Sequence, residues 1–148
     1  MDKNEDLIIL LAEDDDGHAR LVTDRFEEVG VRNSVIRFRD GQEAWDFISC
    51  GSKPCLDADK HYLLLLDIRM PGMDGVEVLR RVKGDPRLKT LPIIMLTTTD
   101  DPKEVSRCYE LGCNNYITKP VEFEDFAEAI KRLGLFIMVV KVDKIKAR

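Results

Sequence analysis

Five side chains in this sequence could do chemistry together: the carboxylates of Glu13, Asp14 and Asp67, the hydroxyl of Thr97 and the ammonium of Lys119. Each lies at the end of a short run rich in apolar residues: LIILLA before Glu13, LLLL before Asp67, IIML before Thr97 and NYIT before Lys119. Gathered in one crevice, three carboxylates and one ammonium carry a charge of about −2, which is repulsive unless a divalent cation joins them. Hard oxygen ligands with no thiolate or imidazole among them favour Mg2+ over zinc or copper. Such a set suits phosphoryl transfer. The metal and Lys119 would spread the charge of the transferring group, Thr97 would donate to a phosphoryl oxygen, and Asp67 would be the nucleophile. An aspartyl phosphate is a mixed anhydride, so the mark would be labile, as a reversible switch requires.

These residues can meet only if the apolar runs are parallel strands of one sheet with their carboxyl ends along one edge. The pattern fits. Residues 7–12 read as the first strand, 34–38 as a short second, 63–67 as the third, 92–96 as the fourth and 115–118 as the fifth. The four leucines before Asp67 describe a strand buried on both faces. Amphipathic stretches alternate with the strands. Ala19, Val22, Phe26 and Val29 recur at helical spacing and end at Gly30, and Ala44, Phe47 and Ile48 follow a D-x-x-E cap at Asp40 and Glu43. Val76, Leu79 and Val82 mark a third helix stopping near Gly84, and Asp101-Pro102-x-Glu104 starts a fourth. Phe123, Phe126, Ala127, Ile130 and Leu133 line a fifth. Five βα units with right-handed crossovers predict an α/β fold, a doubly wound five-stranded parallel sheet with helices on both faces.

Composition narrows the function classes. The 148 residues suit one domain with a full core, spanning 1–148 with its body at about 7–134 and an extension at 135–148. A net charge of −5 argues against nucleic acid as the main partner. No run is long enough to span a membrane, and MDKNED is too polar for a signal peptide, so a cytoplasmic protein is expected. Cys50/Cys55 and Cys108/Cys113 lack the spacing of zinc ribbons, and four reduced thiols are expected.

Taken together, Glu13-Asp14, Asp67 within LLDIRMPGMDG, Thr97 within IIMLTTT and Lys119-Pro120 within YITKP resemble the receiver domain of two-component response regulators. The resemblance runs from about residue 7 to 133. It implies a flavodoxin-like receiver fold, with Mg2+ held by Glu13, Asp14, Asp67 and the backbone carbonyl of Arg69. It implies phosphorylation of Asp67 by a sensor histidine kinase or phosphotransfer protein, with Thr97 and Tyr116 as the switch pair. Arg69 and Thr99 match variable positions that tune dephosphorylation, and the bond before Pro120 matches one that is commonly cis. The protein is then a phosphoacceptor with at most self-phosphorylation and auto-dephosphorylation, not a turnover enzyme. Its output would pass to an unknown downstream protein by contact. The alternative is a receiver-like scaffold that works without phosphorylation.

Other classes fit less well. A flavodoxin-like nucleotide binder needs a phosphate-cradling loop where this chain has Glu-Asp-Asp-Asp, and a dinucleotide fold needs a G-x-G-x-x-G that is missing there. A phosphatase with an aspartate nucleophile would need an acid where Arg69 stands. Asp15 and Asp16 read as a helix cap and dipole partner, His18 as a solvated side chain, and Trp45 as core or helix surface. Tyr116 reads as either a switch or a packing residue. The apolar run 135–142 must be covered, by its own domain or by a second copy of the chain. The run and the long loop at 50–61 resemble single-domain regulators associated with bacterial phytochromes. That resemblance implies a homodimer through the fourth helix, fifth strand, fifth helix and the extension. No output domain for DNA binding or catalysis is expected in this chain.

Overall fold

The computed structural model describes residues 7–119 and, beyond them, residues 124, 127–128, 131–132 and 135. Strands β1 (Leu7–Ala12), β2 (Val35–Phe38), β3 (His61–Leu66), β4 (Ile93–Thr97) and β5 (Asn115–Thr118) form one sheet in the order β2-β1-β3-β4-β5. Every pairing is parallel. Helices α1 (Asp16–Glu28), α2 (Gly41–Ser49), α3 (Gly75–Lys83) and α4 (Pro102–Leu111) alternate with the strands. The expected fold class is the observed one.

Successive strand side chains point to opposite faces, and both faces are apolar. Ile9, Leu11, Leu63, Leu65, Ile94 and Leu96 meet Ala19, Val22 and Phe26 of α1 on one side. On the other, Leu10, Leu64, Leu66, Ile93 and Met95 meet Phe47, Ile48, Val78 and Leu79 of α2 and α3. Central β3 is therefore buried on both faces, and each of its leucines removed from water contributes about 2 kcal/mol.

Each of these four helices begins on an aspartate. Asp15, Asp40, Asp74 and Asp101 accept backbone N–H groups of their own first turns, which satisfies donors that have no intrahelical partner. Pro102 stands at the first helical position of α4, as expected.

Some boundaries differ from the sequence reading. β3 starts two residues before the leucine run, because the Tyr62 ring is buried while its hydroxyl accepts the Asp57 N–H at 2.9 Å. It ends at Leu66, so Asp67 lies just beyond the strand, its N–H still donating to Ala12 O at 3.1 Å. β4 starts after Pro92, which has no N–H to give a ladder; the Pro92 carbonyl accepts from Leu64 N–H at 3.0 Å.

The thiol expectation is corrected for one pair. Cys50 and Cys55 are joined as a disulfide, with Cα atoms 5.0 Å apart, while Cys108 and Cys113 are free and buried. The reason is local: Cys50 caps α2 in the left-handed region, at φ 61°, and the chain turns there into the exposed 51–60 loop. Neither compartment nor zinc spacing carries that information. The inner face expected for a fifth helix lies outside the described residues except Ala127. The 135–148 extension does so except Leu135, which is exposed, and the bond to Pro120 also does so. Among the described residues no helix is long and apolar enough to cross a membrane.

Candidate functional site

The carboxyl ends of β1, β3, β4 and β5 bring the expected residues to one edge. Among the described residues, the buried charged or polar side chains are Glu13, Asp67, Thr97 and Lys119. Asp14, next to Glu13, is exposed at the mouth. The carboxylate oxygens of Glu13, Asp14 and Asp67 lie within 4.8 Å of one another. Lys119 Nζ donates to Glu13 Oε1 and, at 3.2 Å, to Asp67 Oδ2, so one buried cation is shared between two buried anions. The Lys119 N–H donates to Thr97 O at 2.6 Å, which ties the end of β5 to the end of β4.

Two observations test whether a hard cation suits this crevice. Asp67 Oδ1 is buried and has no hydrogen-bond partner, leaving an acceptor oxygen open. Burial pushes the Glu13 carboxyl up to about 7, against the pull of Lys119 and with the added push of Asp67. A single ammonium does not offset the desolvation of this carboxylate group. The donor set, three carboxylates and no thiolate, fits a divalent ion of the Mg2+ or Mn2+ kind.

Glycines set the backbone around Asp67. A Cβ on Gly75, at the start of α3, would sit 2.0 Å from the Asp67 carbonyl oxygen, and the Gly75 N–H donates to Ile68 O at 2.8 Å. Only glycine lets the helix begin so close to the phosphoacceptor candidate. Gly41 of α2 has the same relation to the β3–α3 loop, where a Cβ would meet Met73 O at 1.9 Å.

Other expected residues fall around the rim. Asp15 caps α1 and Asp16 occupies its first turn, the roles assigned from sequence. The exposed Arg69 donates from Nε to Thr99 Oγ1 at 3.1 Å, so the two positions expected to tune dephosphorylation meet each other. The Tyr116 hydroxyl donates to Thr99 O at 2.5 Å, and burial pushes its phenol up to about 12, with smaller pushes from Cys108 and from carboxylates that include Asp67. Thr97 Oγ1 accepts the Thr99 N–H at 3.4 Å. Trp45 packs against the core, with the Arg81 guanidinium 5.7 Å over its ring.

His18 departs from expectation. It is half-exposed, yet its Nδ1 lies 3.4 Å from Lys119 Nζ and 3.7 Å from Glu13 Oε1. The first turn of α1 starts directly over the β1 end, which brings a residue five positions past Glu13 back to it. Sequence reasoning missed Arg37 altogether. Its guanidinium donates twice to the Glu13 carbonyl and once to Asp16. Nothing in the sequence marks an arginine at the end of a second strand as part of the site.

Comparison with known proteins identifies the family. The model of the response regulator receiver domain family matches residues 9–131. This chain belongs to the response regulator receiver family. A receiver domain structure from Rhodospirillum rubrum is 40% identical, with a TM-score of 0.85 over 95% of this chain and 99% of that one. Response regulator Rcp1 of Synechocystis is 32% identical over 91% of each chain. Its Mn2+-bound crystal structure superimposes with a TM-score of 0.83, at 30% identity, over 92% of this chain and 98% of that one. The phosphorylated cyanobacterial phytochrome response regulator RcpA is 29% identical, with a TM-score of 0.81 over 93% of this chain and 98% of that one. The receiver fold is thus shared with regulators associated with phytochromes, and receivers are signalling switches rather than enzymes of turnover.

Proposed function

We propose that this receiver, a single domain over 1–148, is a phosphoacceptor switch in a two-component phosphorelay, marked on Asp67 by a sensor histidine kinase or a phosphotransfer protein. The observation that carries this is the buried set Glu13, Asp67, Thr97 and Lys119, with Asp67 Oδ1 left without a partner. An Asp67 carboxylate oxygen attacks phosphorus, and the bond from phosphorus to the donor imidazole nitrogen breaks. That nitrogen keeps the electron pair and takes a proton from water. Lys119 Nζ, already 3.2 Å from Asp67 Oδ2, meets the negative charge on the phosphoryl oxygens, and the Thr97 hydroxyl turns to donate to one of them. Glu13, Asp14, Asp67 and the Arg69 carbonyl would hold Mg2+, which supplies charge neutralisation to the transferring group.

Arg69 and Thr99 at the rim bear on the lifetime of the mark, because a base that would activate water is lacking at position 69. Rotation of Thr97 disturbs its bond from the Thr99 N–H, and Tyr116 is bonded to the carbonyl of the same Thr99. The mark thereby changes the surface of α4 and β5. That surface is the face through which a downstream partner, or a second copy of the chain, would read it. A histidine-kinase donor puts the encounter in the cytoplasm.

Incubation with acetyl phosphate and Mg2+ is expected to add one phosphoryl group to the intact mass of the wild type and none to Asp67→Asn. Unchanged mass in the wild type, with acetyl phosphate and with every histidine kinase of the source organism, would sink the reading in favour of a phosphorylation-independent scaffold.

A further inference from the structure

We propose that Arg37 is a positioning residue for the cation of the acidic crevice, clamping the Glu13–Asp14 backbone from β2 so that both carboxylates stand against Asp67. The proposal rests on the phosphoacceptor reading above. Arg37 Nε and Nη2 donate to the Glu13 carbonyl at 3.1 and 2.8 Å. On the other side of the same residue, the Glu13 N–H donates to Phe38 O at 3.1 Å. Two adjacent residues of β2 thus hold both peptide groups that flank the Glu13 Cα. With both held, the direction in which the Glu13 side chain leaves the backbone is set, and Oε2 accepts the Asp15 N–H at 3.2 Å.

The third guanidinium nitrogen deals with a competing carboxylate. Arg37 Nη1 donates to Asp16 Oδ1 at 2.6 Å, with Arg39 Nη1 3.7 Å from the same oxygen. Asp16 is thereby engaged outside the cluster of Glu13, Asp14 and Asp67. The register explains why β2 can reach: Arg37 is paired with Leu11, so it lies on the α1 side of the sheet, where the first turn of α1 begins. Only a planar fork with several donors makes all three bonds at once.

The sign of the effect separates this role from that of a bystander charge. A guanidinium beside an acidic crevice repels a cation, so if Arg37 acted by charge alone its removal would tighten cation binding. A clamp has the opposite signature, because loosening Glu13 and Asp14 disperses the ligands.

The test is a Mn2+ titration of the full chain, reading free Mn2+ by electron paramagnetic resonance, for wild type, Arg37→Ala and Arg37→Lys. Each protein is titrated at a temperature where circular dichroism shows it fully folded, so that the affinity reports the site rather than the fold. Both variants are expected to bind roughly tenfold more weakly than wild type, the scale of losing a support behind a metal ligand. Arg37→Ala binding as tightly as wild type or tighter, or Arg37→Lys matching wild type, overturns the proposal while leaving the phosphoacceptor reading intact. A wild type that takes up no Mn2+ overturns both. Should Arg37→Ala not fold, the Arg37→Lys titration decides alone, since it keeps the charge and loses the fork.

Discussion

The Lys119 ammonium is buried between Glu13 and Asp67 and bonds to both. Two carboxylates that share one lysine are tolerable in a buried crevice; without it they face each other uncompensated. Lys119→Met is therefore expected to cost about 3 kcal/mol of stability in the absence of a divalent cation, measured by urea unfolding. Added Mg2+ should recover part of that loss. A midpoint equal to that of wild type would remove Lys119 from the charge balance of the site. The same residue is half of a contact that also engages His18, so the imidazole belongs to the description of the site although it is half-exposed.

At the scale of elements, the site depends on how closely α3 starts against the end of β3. The chain leaves β3 at Leu66, passes Asp67 and a turn with Gly72 at φ 74°, and enters α3 capped by Asp74. Gly75 lets the helix touch the Asp67 carbonyl, at a separation no Cβ can occupy. The clash is with backbone, so the element itself has to move. Gly75→Ala is expected to destabilise the fold by about 2 kcal/mol, on the scale of overpacking in a tight core. It should also slow phosphorylation of Asp67 by acetyl phosphate at temperatures where the variant is still folded. Normal stability together with a wild-type rate would mean that α3 can shift without disturbing Asp67.

For the molecule as a whole, the acidic crevice makes an unusual contribution to the pH dependence of stability. Glu13 is raised from an ordinary 4.5 to about 7, chiefly by burial, so the folded state holds this proton more tightly than the unfolded chain does. A raised carboxyl favours folding fully below about 4.5, and that contribution is lost as pH rises through about 7. Without divalent cation, stability from this group therefore falls between those values, opposite to the trend of a carboxylate whose ion pair outweighs its burial. The check is urea unfolding across that range for wild type and Glu13→Gln, with and without Mg2+. The variant should lack this falling component, and Mg2+ should suppress it in the wild type, because a bound cation favours the ionised carboxylate. Parallel curves for wild type and variant would assign the slope to other groups.

Much of the fold was legible because its signals are local. Apolar runs, aspartate caps and a proline at the start of α4 mark strands and helix starts through short-range physics, and the parallel orientation of the strands follows once α and β alternate. The site candidates were legible for the same reason, as each stands at or just past the end of a strand-like run. What required the tertiary structure was every contact made between elements. Arg37 reaches the Glu13 carbonyl only because β2 is in register beside β1, and Gly75 is irreplaceable only because α3 lands on Asp67. His18 returns to Lys119 across the width of the sheet edge, and Cys50 meets Cys55 because the end of α2 turns left-handed. Sequence by itself determined which candidate side chains are present and in which elements they lie. The packing of those elements decided which side chains hold that chemistry in place, because orientation and close approach are properties of elements in contact, and no stretch of a single chain encodes them alone.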